Sequence, residues 1–394
     1  MPDAYLDHAA TTPMRPEAVD AMAPLLGQVF GNPSGSHRWA REARRHLDDA
    51  RDRVAEIVGA KPAEIVFTSG GTEADNLAIT GVLAATGGLA ACSAVEHHAV
   101  LEPVHASGGV TVAVDSLGRL DLDVLAALLG AGRPVAVVSA MVANNELGTV
   151  QSIDAIAELI ERLSPGTVLH TDAVAAAPWL DLSRHTAAAN MVSLSGHKLG
   201  GPKGIGVLVV RTGTPLVPLF RGGGQEQERR SGTPDVAGAV GFAAALTANA
   251  AARRATGAQV EALRQRLARG LLAAVPDAVM LSPANAADRT PGTLHLCIPG
   301  VDREALLFLL DQAGVGASWG SSCSSGATER SHVMAAIGVP DALAAGALRL
   351  SLGWCSTDAD VDAALVAVPA AVAQLRASQA AGLPPVPVAT VGRP

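Results

Sequence analysis

A chain with 29 lysines and arginines uses lysine only three times, at Lys61, Lys198 and Lys203, and two of these fall in the run SLSGHKLGGPKGIG, residues 193–206. Arginine keeps its charge, whereas lysine can lose a proton and become a neutral nucleophilic amine. A lysine retained here points to chemistry a guanidinium cannot do, such as a Schiff base with a carbonyl compound or cofactor. The other reading is a surface lysine in a glycine-rich turn. A second nucleophile stands in VGASWGSSCSSGATERSH, where Cys323 is flanked by serine and glycine. Cys92 and Cys297 sit in apolar runs suited to packing, so Cys323 reads as the accessible thiol, reactive as its thiolate.

Polar groups at the ends of probable strands complement one another. In EIVFTSGGTEADNLAI a strand ends in Ser69-Gly70-Gly71-Thr72 and a helix starts at once. Free backbone N–H groups and the helix dipole then face the turn, as a phosphate requires; a turn that only caps the helix is the alternative. In VLHTDAVAAAP, Asp172 ends an apolar strand, where open α/β sheets bind ligands, and is either the partner of a protonated ring nitrogen or an ordinary cap. In SAVEHHAVLEP, His97 and His98 follow a strand, with Glu96 beside them. Adjacent histidines point to different sides, which argues against a shared metal and leaves a flat imidazole able to stack on a planar ligand. MVANNELGTVQ puts Asn144 and Asn145 at a further strand end. Together these predict one pocket for a ligand with a phosphate, a basic ring nitrogen and an aldehyde, matched by Thr72, Asp172 and Lys198: pyridoxal phosphate. Arg349, in the apolar run ALRLSLG, needs a carboxylate, either a substrate's, through its bidentate fork, or an internal acid's.

The elements that must position these groups are legible as an alternation. EIVFTS, GVTVAV, PVAVVSAM, GTVLHTD, NMVSLS and GIGVLVV are β-rich runs, each followed by a loop or an amphipathic stretch, and they predict an α/β fold with a mostly parallel sheet. Beyond about residue 250 a long helix through GAQVEALRQRLARGLLAAV, strands at TLHLCI and ALRLSLG, and helices at DREALLFLLDQAG and DADVDAALVAVPAAVAQL predict a smaller α+β domain. The expected division is a large domain over 16–250, a small one from 1–15 with 251–380 that carries the cysteine loop at about 318–330, and a flexible proline-rich tail at 381–394. With 49% hydrophobic and 17% charged residues and a net charge of −8, the chain reads as an acidic globule rather than a nucleic-acid binder. No signal-peptide pattern opens it, and no later stretch reads as long and clean enough to span a bilayer, so a cytoplasmic location is expected. Four scattered cysteines predict neither a disulfide framework nor a metal site. Cys355, in LGWCSTDAD, is expected to pack before a helix.

With these residues in hand, the sequence resembles the cysteine desulfurases of the nitrogenase and iron–sulfur-cluster group (group I), within the class V aminotransferases. The resemblance runs through YLDHAATTP, GNPSGSHRWA, FTSGGTEADNLAI, VEHHAVL, NNELGTVQ, SGHKLGGPKG, GGGQEQERRSGTPD, GSSCSS and LRLSLG, in that order. It implies the fold-type I architecture of pyridoxal-phosphate transferases, a large domain on a seven-stranded sheet of mostly parallel strands and a smaller α+β domain. Lys198 is then the lysine that binds the cofactor, His97 stacks on its ring, Asp172 pairs with the ring nitrogen, and Asn145 lies near the phenolic oxygen and the substrate. Gly71, Thr72, Ser195 and His197 hold the phosphate, joined by Thr233 from the other subunit, which implies a homodimer with shared active sites. Arg349 binds the substrate carboxylate, and Cys323 accepts sulfur from L-cysteine as a persulfide, leaving L-alanine. A sulfur-acceptor protein of iron–sulfur assembly or thiolation would then take the sulfur. One position departs from the pattern: many relatives have glutamine where this chain has Ala175, which bears on efficiency and substrate choice. A selenocysteine lyase or another C–S lyase of the same fold, and a non-catalytic scaffold, are the alternative readings.

Overall fold

A computed structural model describes residues 3–320 and 331–381. Its strands are β1 (Ala4–Tyr5), β2 (Ile65–Thr68), β3 (Leu89–Ser93), β4 (Val110–Val112), β5 (Val135–Ser139), β6 (Val168–Asp172), β7 (Met191–Ser195), β8 (Gly206–Val210), β9 (Val279–Met280), β10 (Thr293–Cys297), β11 (Val315–Gly316) and β12 (Ala347–Ser351). Seven form one sheet in the order β2-β8-β7-β6-β5-β3-β4. Neighbours from β7 to β4 run parallel, and β8 lies antiparallel to both β7 and β2.

Strands β5 to β8 are buried at every residue. Helices cover both faces of such a sheet, so its strands read as continuous apolar runs rather than as an in-out alternation. The strand before His97 and His98 is the least distinctive of the set, because Leu89–Ser93 reads LAACS and alanine has little preference for strands. Chain order reverses at β3, which lies between β4 and β5. Ligands of open α/β sheets bind at the carboxyl ends of strands beside such a reversal.

The second layer of structure uses an antiparallel β12-β10-β9 sheet and the parallel pair β1-β11. Residues near the N-terminus thus pack with segments some 310 positions later, through Ala4↔Val315 and Tyr5↔Gly316. One helix, Val236–Ala274, is 39 residues long, far longer than the stretch legible as helical in the sequence. Its first half buries Phe242 and Leu246 in the core of the large sheet, and its second half buries Leu263, Leu267 and Leu271 in the other. Helix Asp358–Ala380 starts with a reciprocal cap, in which Thr357 N donates to Asp360 Oδ2 at 2.7 Å and Asp360 N to Thr357 Oγ1 at 3.4 Å. These two helices are long and apolar enough to cross a membrane by length and composition, contrary to the sequence reading. Here both bury their apolar faces against protein. The tail 382–394 and the cysteine loop 321–330 lie outside the described residues.

Candidate active site

Parallel strands all end on one edge of a sheet, and this brings most of the sequence-predicted groups together, with Arg349 joining them from β12 of the antiparallel sheet. Gly71, Thr72, His97, Asn145, Asp172, Ala175, Ser195, His197, Lys198 and Arg349 line one cavity of about 170 Å³. Lys198 ends the 3₁₀ turn Gly196–Lys198 that follows β7. Its amine donates to the carbonyls of Ala9 at 2.5 Å and Ala10 at 2.9 Å. The N-terminal segment therefore forms one wall beside the amine, a contact between residues 189 positions apart that no local pattern announces. Lys203 lies exposed in the turn.

Helix Gly71–Thr86 starts at the carboxyl end of β2, with Gly70 at φ 155° as its cap, a backbone angle that favours glycine. At Gly71 a Cβ would stand 2.9 Å from Val174 Cγ2, so the bare glycine keeps the turn open toward the cavity. Glu73 accepts from Ser69 N at 2.7 Å and from Arg230 Nε at 2.9 Å. It ties this turn to the loop that carries Thr233, which is exposed and does not line the cavity of its own chain.

Asp172 is buried at the end of β6, and its Oδ1 accepts from Val174 N at 2.8 Å. Burial pushes its carboxyl up to about 6, against the opposing pull of the Val174 N–H and the Lys198 charge. A carboxyl in this state gains most from a cationic partner. His97 caps helix His98–Ala106, its Nδ1 accepting from Ala99 N at 3.1 Å. Burial and then the charge of Lys198 push the ring down to about 4. It is neutral near pH 7 and, with Nδ1 accepting, carries its proton on Nε2. His197 is likewise pushed down to about 4, by burial first and then Lys198, and its Nδ1 lies 3.2 Å from Thr11 Oγ1.

The paired asparagines divide their work. Asn144 braces the loop, donating to Val95 O at 2.9 Å and accepting from the N–H groups of Glu146 and Leu147, each at 2.9 Å. Asn145 faces the cavity, while its carbonyl accepts from Arg349 Nη1 at 3.2 Å. Glu96 turns away from its histidine neighbours and accepts from Met141 N at 2.6 Å; burial and then Asp172 push it up to about 8. Of the two readings of Arg349, the internal acid is present: its Nη2 meets Asp7 Oδ1 at 2.8 Å. Yet Arg349 also lines the cavity, and its Nε has no hydrogen-bond partner among the described residues.

Ala175 opens the site further. It lines both this cavity and an adjoining one bounded by Trp179, Thr290, Thr293 and Trp354, where a longer side chain would stand between them. Cys323 lies outside the described residues. Cys92 and Cys297 are buried as expected of packing cysteines, whereas Cys355 is exposed: it sits in the turn ahead of the Thr357 cap, where the chain runs along the surface.

The loop GGGQEQERRSGTPD holds the least foreseen feature. Glu226, Gln227 and Glu228 adopt φ of 51°, 53° and 66°, a left-handed conformation disfavoured for residues other than glycine. A buried anchor holds it: Arg51 donates to Glu226 Oε2 at 2.9 Å and Oε1 at 2.7 Å, and Phe67 N donates to Oε2 at 2.9 Å.

The class-V aminotransferase family model matches residues 4–364. An IscS-like cysteine desulfurase from Mycobacterium tuberculosis is 43% identical over 387 residues, covering 95% of this chain and 97% of that protein. Among solved structures, a NifS-like protein superposes with a TM-score of 0.87 at 32% identity, covering 94% of this chain and all of the other. SspA in complex with cysteine gives 0.74 at 30% identity, covering 90% of this chain and all of the other. The chain belongs to the class-V aminotransferase family and, within it, to the cysteine desulfurases.

Proposed function

We propose that this cysteine desulfurase works with pyridoxal 5′-phosphate seated in the cavity described above. One observation carries the reading: an amine, a buried carboxyl in need of a cation, and a glycine-lined helix N-terminus meet in a single cavity. These are the donors that an aldehyde, a basic ring nitrogen and a phosphate require. Gly71, Thr72, Ser195 and His197 would hold the phosphate, Asp172 the ring nitrogen, Lys198 the aldehyde carbon, and Asn145 the region of the phenolic oxygen. When bound, the group supplies an electron sink for the pair released at the substrate α-carbon.

The side chains do the rest. Lys198 moves the proton at that carbon. Neutral His97 would cover the ring face and can relay a proton through its Nε2–H. Arg349 takes the carboxylate of L-cysteine. The thiolate of Cys323 bonds to the substrate sulfur as the C–S bond breaks. The electron pair of that bond stays with the carbon, which takes a proton, and the products are L-alanine and a persulfide on Cys323. SspA, a relative in structure, was solved with cysteine.

The same proposal includes a homodimer that completes each site with Thr233 of the other chain. It is supported by the outward position of Thr233 and by the exposed apolar side chains of Leu26, Phe30 and Phe220. It includes a large domain over 16–250 and a small one from 1–15 with 251–380, supported by two hydrophobic cores that meet along helix Val236–Ala274. A cytoplasmic location and an acceptor protein of iron–sulfur assembly or thiolation complete it. The test is release of alanine and sulfide from L-cysteine by the cofactor-loaded protein with a reductant. Equal yields are expected, with both lost in Cys323→Ser while cofactor content is kept. A Cys323→Ser protein that desulfurates at full rate would refute the assignment.

A further inference from the structure

Among the described residues Asp7 is the one carboxylate on the Arg349 fork, and neither composition nor motif assigns it a task. It is fixed by the main chain around it. Leu6 N donates to Gly316 O at 2.8 Å, Ser351 N to Leu6 O at 2.7 Å, and His8 N to Ser351 O at 3.2 Å, so Asp7 lies alongside the end of β12. Arg349 stands two residues before Ser351 in β12. Its guanidinium uses Nη2 on Asp7 and Nη1 on the carbonyl of Asn145, while Nε is buried without a hydrogen-bond partner among the described residues. The fork has five N–H donors, so donor capacity remains beside the cavity it lines. His295, opposite Arg349 in the β10-β12 pair, is held neutral: burial and then the Arg349 charge push it down to about 3. Asp7 is thus the anion that offsets this buried cation before a substrate arrives.

Resting on the reading of Arg349 as the carboxylate-binding group, we propose that Asp7 is a positioning residue that also limits the carboxylate grip. It aims the fork into the cavity and takes up part of its charge. L-cysteine and L-alanine present the same carboxylate, so a guanidinium left at full charge would hold the product as firmly as the substrate. With Asp7 in place, alanine is bound weakly enough to leave.

The test compares the cofactor-loaded parent, Asp7→Asn and Arg349→Lys. It measures the L-alanine dissociation constant by titration calorimetry and the KM for L-cysteine from alanine formation. Asparagine keeps an oxygen facing Nη2 and removes the charge. A like charge about 7 Å away across the fork, partly screened, opposes a second carboxylate by roughly tenfold in binding. Asp7→Asn should therefore bind alanine about tenfold tighter, with KM for L-cysteine falling in parallel and no tightening for cysteamine, which lacks the carboxylate. A merely structural role would loosen all three. Should asparagine fail to fold, Asp7→Ser repeats the test with the same expected sign. Alanine binding unchanged or weaker in Asp7→Asn, while Arg349→Lys weakens both ligands, overturns the role of Asp7 and leaves that of Arg349 standing. Both ligands unchanged in Arg349→Lys overturns the carboxylate site itself.

Discussion

Replacing Asp172 with asparagine tests the proposal that its buried carboxylate pairs with the ring nitrogen of the cofactor. The substitution is nearly isosteric, and the amide oxygen can keep the bond from Val174 N, so the fold should hold. Two terms set the size of the effect. A carboxylate and a protonated ring nitrogen in hydrogen-bond contact, about 3 Å apart, attract by about 5 kcal/mol at an effective dielectric near 20. Against this stands the neutral hydrogen bond that the asparagine oxygen can still accept, roughly half as strong as a charge-assisted one; no cost of ionisation enters, because a carboxyl at about 6 is already ionised at pH 8. The net of about 2 to 3 kcal/mol favours the protonated ring and is lost in the amide. If it acts in full on the α-carbon step, kcat should fall roughly a hundredfold. The assay is alanine formation at saturating L-cysteine and pH 8, with bound cofactor measured after alkaline release. An Asp172→Asn protein with full cofactor and a rate within about threefold of the parent would refute the electrostatic reasoning.

Three further outcomes follow from other parts of the structure. Glu226→Gln breaks the buried pair with Arg51 that holds the left-handed turn, and should cost about 3 kcal/mol in denaturant unfolding; a loss under about 0.5 would show that the turn needs no such anchor. Glu96 has its carboxyl raised from 4.5 to about 8 by burial and then by Asp172, so the proton it holds when folded stabilises the protein fully below about pH 4.5, and that contribution fades as pH rises toward 8. Glu96→Gln cannot ionise, so cofactor-free Glu96→Gln should gain stability over the parent between pH 5 and 8; a pH-independent difference would contradict this. In the cofactor-free protein Asp172 becomes anionic as pH rises through about 6, so pyridoxal phosphate affinity, measured by titration, should rise between pH 5 and 7, and a flat profile there would remove Asp172 from the ring nitrogen.

What was legible in the sequence is what local chemistry encodes. Lys198, Asp172, His97 and Asn145 could be grouped because each follows a β-rich run, and parallel strands deliver their carboxyl ends to one edge whatever the detailed packing. The strand runs themselves were legible because burial on both faces leaves apolar β-branched stretches, and the least typical of them, the alanine-rich β3, was the least distinct. Helix Val236–Ala274 was legible only in its second half: the first half, VAGAVGFAAALTANAAAR, has small residues all round and no polar face, so no 3.6-residue period marks it. Cys355 was misjudged because a cysteine between tryptophan and serine looks the same in sequence whether its turn faces inward or out. Tertiary structure alone decided the long-range pairs: Asp7 with Arg349, 342 positions apart, Arg51 with Glu226, 175 apart, and the carbonyls of Ala9 and Ala10 over the Lys198 amine. A buried charge announces that a partner must exist, but which carboxylate meets it depends on how the chain is threaded, and that information resides in the packing of the whole molecule.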